Sequence, residues 1–155
     1  MSAYPDNLHM VNALPPVADA FSGATATSDV IKVDGHGVEF LVWTGVGVTG
    51  TSTFTVLACD DVTPTNTTAV VFWYKEIESD PGDTAWTLAT TAGFTRTAGS
   101  NYMARIWVPA DVIGATGRAY VQLNGAESVD SPVLGGILAI IHEPRYQPQM
   151  VTVIT

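Results

Sequence analysis

Between Ser52 and Asp60 the side chains alternate without a break. Phe54, Val56 and Ala58 fall on one side, and Thr53, Thr55, Leu57 and Cys59 on the other. Period two is the spacing of a strand with one face in a core, and a helix cannot sort residues this way. The pattern returns in Ala69–Ile77, where Val70, Phe72 and Tyr74 oppose Val71, Trp73 and Lys75. It returns again in Tyr102–Val108, where Tyr102, Ala104, Ile106 and Val108 oppose Met103, Arg105 and Trp107. Shorter β-rich runs are Val30–Val33, Val38–Val48, Trp86–Ala89, Phe94–Thr97, Arg118–Leu123 and Pro132–His142. Turn residues separate them, as in Asp34-Gly35-His36-Gly37, Asp60–Thr68 and Ser79-Asp80-Pro81-Gly82-Asp83. Pro109–Gly114 reads as a bend or a single helical turn, and no longer window holds a helical period. About nine or ten short runs, roughly 8–14 residues apart, predict an all-β antiparallel sandwich or barrel.

At 155 residues the chain fits one domain and buries a core without staples. Hydrophobic residues make up 46% and charged residues 14%, against a usual charged share of about 25%. That composition excludes a disordered chain and points to a surface that meets other protein. The net charge is −9, and the six Lys and Arg are scattered singly. Phosphate neutralisation needs clustered cations, so neither nucleic acid nor a polybasic membrane contact is expected. The first residues show no basic-then-apolar signal pattern, and the longest apolar run, Val133–Ile141, is half a membrane span. The expectation is a soluble protein made in the cytoplasm, or built there into something larger.

The texture divides the chain into an N-terminal arm (1–28), a β-sandwich domain (29–143) and a C-terminal arm (144–155). Tyr4-Pro5-Asp6-Asn7 and Leu14-Pro15-Pro16 forbid a continuous helix in the first arm. Its apolar residues are too many for a free tail, so it covers either its own domain or a neighbour. Glu143-Pro144-Arg145-Tyr146-Gln147-Pro148-Gln149 cannot be central strand, whereas Met150–Thr155 is β-like and suits an edge in its own or a neighbouring subunit.

No motif carries catalysis. His9, His36 and His142 have no metal-ligand spacing, and the acidic sets Asp60-Asp61 and Glu76/Glu78/Asp80/Asp83 read as turn chemistry. Cys59 is the one cysteine and reads as a small buried hydrophobe. There is no nucleophile elbow, Walker loop or dinucleotide fingerprint. The expectation is therefore a protein that is not an enzyme, with no catalytic, cofactor-binding or metal-binding residues. Trp43, Trp73, Trp86 and Trp107 sit in or beside strand runs, where each suits core or interface, or a sugar-stacking platform.

Two stretches carry a family resemblance. One is Val70-Val71-Phe72-Trp73-Tyr74-Lys75 with Trp86-Thr87; the other is Tyr102–Asp111 followed by Arg118–Leu123. The order closes with Ser131–Ile141 and Glu143-Pro144-Arg145-Tyr146. Over roughly residues 36–147 this layout resembles the capsid cement, or decoration, proteins encoded near the major capsid protein of tailed phages. The resemblance implies a jelly-roll-like sandwich on the outer surface of the virion, assembled in the host cytoplasm. The implied partners are the major capsid protein and further copies, as dimer or trimer. The contact residues implied are Tyr4, Leu8, Met10, Val11, Leu14, Val17 and Phe21 in the first arm. In the second they are Tyr146, Met150, Val151, Val153 and Ile154. The alternative is a carbohydrate- or receptor-binding β-sandwich module on a virion surface.

Overall fold

A computed structural model describes residues 8–21, 26–45, 49–77, 84–99, 101–129 and 131–143. The strands, in chain order, are β1 (Leu8–Val17), β2 (Ala26–Thr27), β3 (Ile31–Lys32), β4 (Gly37–Thr44), β5 (Thr51–Cys59) and β6 (Thr67–Val70). They continue as β7 (Phe72–Ile77), β8 (Thr87–Ala89), β9 (Phe94–Thr95), β10 (Met103–Pro109), β11 (Tyr120–Val129) and β12 (Gly135–His142). A short helix, α1 (Ala110–Gly114), follows β10.

Two antiparallel sheets face each other. The first runs β1-β12-β4-β10-β7-β8; the second runs β2-β11-β5-β6, with β3 also on β11 and β9 also on β5. The pairs are nested along the chain: β1 with β12, β2 and β3 with β11, β4 with β10, and β5 with β6. A chain doubled back on itself and rolled into two sheets gives this nesting, and it is the jelly-roll path. The segment β7–β9 is inserted between the innermost pair and β10, and widens the first sheet by two strands. The expected all-β sandwich is what the chain forms.

Three features depart from the sequence expectation. Leu8–Val17, assigned to the arm because of its prolines, is a ten-residue strand paired with β12. The prolines are tolerated because β1 is an edge strand among the described residues, needing ladder bonds on one side only. Register shifts between Leu14 and Val17 absorb them. Leu8–Val17 therefore belongs to the sandwich, and Val11, Ala13 and Phe21 to its core. Secondly, Ala69–Ile77 is not one strand, because the chain passes from the second sheet to the first at Val71. Alternation continues through the crossing because residues on both sides face the same core. Thirdly, the run Val30–Val33 pairs only over Ile31–Lys32.

The core lies between the sheets and is tied by aromatic contacts. Phe54 of β5 meets Phe21 edge-to-face, with centroids 5.2 Å apart, and lies 5.7 Å from Phe94. Phe94 stacks on Tyr74 at 3.9 Å and lies 6.1 Å from Phe72, so the string crosses from one sheet to the other. Phe54→Ala should lower the unfolding free energy by about 3–5 kcal/mol, measured by urea denaturation.

Candidate interaction surface

The outward faces of the two sheets differ sharply in chemistry. In the second sheet β5 presents Thr51, Thr53 and Thr55, and β11 presents Gln122 and Asn124, because Phe54, Val56, Val121 and Leu123 point inward. Hydroxyl pairs tie this face together: Thr53 Oγ1 is 2.7 Å from Thr95 Oγ1, and Thr51 Oγ1 is 3.0 Å from Ser128 Oγ. It is largely polar, with Leu57, Tyr120 and Lys32 on the same side.

In the first sheet the same parity argument turns Met103, Arg105 and Trp107 outward from β10, since Ala104, Ile106 and Val108 are buried. Register then aligns their neighbours. Trp107 lies opposite Trp73 on β7 and Glu39 on β4, and Trp73 lies opposite Leu88 on β8. Met103 lies opposite Trp43, which in turn faces Gly136 of β12. Trp86, just before β8, sits under the Arg105 guanidinium, 5.3 Å from carbon to ring centroid. All four tryptophans thus share the outer side of one sheet. Met10 and Trp43 are more than half exposed there, and Trp73, Trp86 and Leu88 are exposed beside them. Arg105 and Lys75 lie between them on the same face, so the exposed tryptophans alternate with charge.

At its centre sits a buried carboxylate. Glu39 is 4% exposed; Arg105 Nε donates to its Oε1, and His142 Nε2 is 2.9 Å from its Oε2. The Trp107 ring meets the His142 ring edge-on, with centroids 5.0 Å apart. It also lies over Gly37, where a Cβ would collide with the indole. The ion cluster and the absent side chain together hold Trp107 in one orientation. Arg105, more than a third exposed, keeps part of its hydration, so the pair is only partly desolvated.

Trp43 stands between two depressions. The larger, 360 Å³, is lined by Pro16, Trp43, Tyr102, Met103 and Leu134 among others, and the smaller, 80 Å³, by Leu14, Pro16, Trp43 and Leu138 among others. Among the described residues no charged side chain lines either.

The residues singled out as contacts separate under this geometry. Met10 and Val17 are exposed, and Leu8 and Leu14 are half-buried at the same edge. Val11 and Phe21 point into the chain's own core, so the contact role expected of them is corrected: inward parity in β1 and packing on Phe54 commit both. Tyr4, Tyr146, Met150, Val151, Val153 and Ile154 lie outside the described residues. The tryptophan face was missed as a unit. Parity sorts Trp73 and Trp107 within their own segments, but the common side of all four depends on strand order.

The remaining candidates resolve into structure. The Asp60 carboxylate accepts from Asn66 Nδ2 at 3.0 Å, from the Asn66 and Thr65 amides and from Thr65 Oγ1. Those bonds, the Asn66 side chain first, hold it well below the usual carboxylate range. Arg96 is buried beneath the loop at Gly50; it donates to the Gly50 carbonyl and lies 5.2 Å from the Tyr102 ring centroid. Cys59 is fully buried, and burial pushes its thiol from 9.0 up to about 11. Among the described residues no three His, Cys, Asp or Glu converge to hold a metal ion.

The chain forms a jelly-roll-like sandwich with four tryptophans on the outer side of its first sheet. The sequence matches no family model and no curated protein. Among solved structures, a chain in the structure of infectious bursal disease virus, Gx strain, aligns over 97% of this chain at 14% identity with a TM-score of 0.27. This chain spans 46% of that one. A superposition that loose carries no statement about fold or function.

Two outcomes are expected. Trp43→Ser should change the unfolding free energy by less than about 1 kcal/mol, while Glu39→Ala, which removes the carboxylate shared by Arg105 and His142, should cost about 1–3 kcal/mol, both by denaturant titration. Cys59 gives a pH signature. Its thiol keeps its proton longer in the folded chain, so its contribution is complete below about pH 8.5 and is lost as pH rises towards 11. Stability of Cys59→Ala should accordingly fall less than wild type between those limits, and native Cys59 should resist alkylation at pH 8 until denaturant is added.

Proposed function

We propose that this chain is a structural virion protein, a capsid cement or decoration protein bound to the outer surface of a tailed-phage head. The observation that carries this is the gathering of all four tryptophans on one outer face of the sandwich. Tryptophans act as anchors in protein contacts, and a face that exposes several of them is suited to being covered. The opposite face, rich in Thr, Gln and Asn, suits exposure to solvent once the first face is docked.

In this role the partner is the major capsid protein, with no nucleic acid and no membrane, and the chain performs no catalysis. Assembly takes place in the host cytoplasm. Many copies on a symmetric shell add weak contacts into a strong one, and so stabilise it against internal pressure. The acidic balance of the chain costs nothing on a surface whose nucleic acid lies inside.

The depressions flanking Trp43 favour a second reading, a carbohydrate- or receptor-binding module, in which the indole stacks against a sugar ring.

The test is binding to expanded heads that lack this protein. Wild type should bind and raise the temperature at which the heads disrupt. Trp73→Ala and Trp43→Ala should each weaken binding at least about tenfold, and Thr53→Ala on the opposite face should leave it unchanged. Absence of binding, or equal losses from both faces, overturns the proposal. Saturable quenching of tryptophan fluorescence by a glycan, lost in Trp43→Ala, would establish the second reading instead.

A further inference from the structure

We propose that the two depressions flanking Trp43 form one binding site for a neutral sugar, with a pyranose ring in the larger depression against the indole and a ring substituent in the smaller. This deepens the carbohydrate reading of these depressions and rests on it.

Backbone bonds fix the walls of the site. Trp43 stands at the end of β4, where Thr44 N donates to Tyr102 O at 2.8 Å and Gly45 N to Leu134 O at 2.7 Å. Asn101 N in turn donates to Gly45 O at 2.8 Å. The end of β4, the start of β10 and the lead into β12 are thus tied together around the larger depression, which Trp43, Met103 and Leu134 line. Pro16 lines it too, brought there by the register shifts of β1 between Leu14 and Val17. Gly136, the β12 partner of Trp43, makes room for that approach, since a Cβ there would meet Leu14 O at 2.9 Å and Pro16 Cα at 3.3 Å. Trp43 and Pro16 line both depressions, so the two adjoin along these side chains.

Three properties select the ligand. The first is charge. With no charged side chain lining either depression among the described residues, an ionised sugar would lose hydration there and gain no counter-charge. The second is the pairing of an aromatic face with amides. Trp43 is 55% exposed, and a flat indole packs against the C–H groups of a pyranose while the hydroxyls at the ring's rim keep their hydrogen bonds. Asn101 at the larger depression and Asn12 at the smaller are both exposed, and each amide offers a donor and an acceptor, as sugar hydroxyls require. A purely aliphatic ligand would leave both amides unused. Asn101 sits in the left-handed region at φ 57°, which asparagine tolerates, and its bond to Gly45 holds it in place.

The third property is size. The larger depression, 360 Å³, lies near the lower end of the range of about 300–1,000 Å³ for small-ligand pockets, which suits a single ring. The smaller, 80 Å³, exceeds the roughly 30 Å³ of one water and suits a hydroxymethyl or acetamido group.

The experiment uses the full chain with glucose, galactose and N-acetylglucosamine as neutral probes and glucuronic acid as the charged counterpart of glucose. In NMR titrations at least one neutral sugar should shift the Trp43 indole N–H resonance saturably, with a millimolar Kd, and its ring protons should show contacts to that indole. Glucuronic acid should bind at least about tenfold more weakly than that sugar. Trp43→Ala should abolish binding. Asn101→Gly, which keeps the left-handed backbone and removes only the amide, should weaken it about three- to tenfold. Thr53→Ala on the opposite face should leave it unchanged. Glucuronic acid bound as tightly as the neutral sugars, binding that survives Trp43→Ala, or indifference to Asn101→Gly overturns this proposal and leaves the carbohydrate reading standing. Failure of every sugar to bind overturns both.

Discussion

The first sheet depends on β4. Its eight residues pair in register with β12 on one side, from Thr44 opposite Gly135 to Gly37 opposite His142, and with β10 on the other, from Trp43 opposite Met103 to Gly37 opposite Pro109. Neither ladder contains a shift. A slip of one residue would carry Val38, Phe40 and Val42 out of the core and place Glu39, Leu41 and Trp43 inside it. This register also brings Glu39 beside both Arg105 and His142, which come from strands far apart in the chain. The docking face and the core are therefore set by the same hydrogen-bond pattern.

A sheet apolar on both sides poses a problem that a half-buried sheet does not: its pattern states no preference for which side is in. Glu39 supplies one. It occupies an outward position, and burying its charge in the sandwich interior without Arg105 and His142 would cost several kcal/mol. The partly hydrated Arg105 makes the cluster tolerable at the surface, where a slipped register would strand it in the core. Trp107 then packs over Gly37 and against His142, so an element of specificity also orients one of the contact side chains.

The nested pairing of β1 with β12 places the two ends of the fold side by side at one edge. On the opposite sheet Thr53 pairs with Thr95 and Thr51 with Ser128 across the outer face. One molecule thus carries two outer faces of different chemistry.

The alternation at Ser52–Asp60 and Tyr102–Val108 determined strands, an all-β class and which side chains of each strand turn inward, because parity along a strand is a local property. The same locality left Leu8–Val17 in the arm, where Leu14-Pro15-Pro16 excluded a helix and nothing in the segment revealed a strand at a sheet edge. It also joined β6 to β7 across Val71, since parity survives a change of sheet. The outward parity of Trp73 and Trp107 was legible within their own segments. That four of them share one face was not, because β4, β10, β7 and β8 become neighbours only through ladders between residues tens of positions apart. Sequence order decided the strands; only the tertiary structure, through register across non-consecutive strands, decided the surface they make.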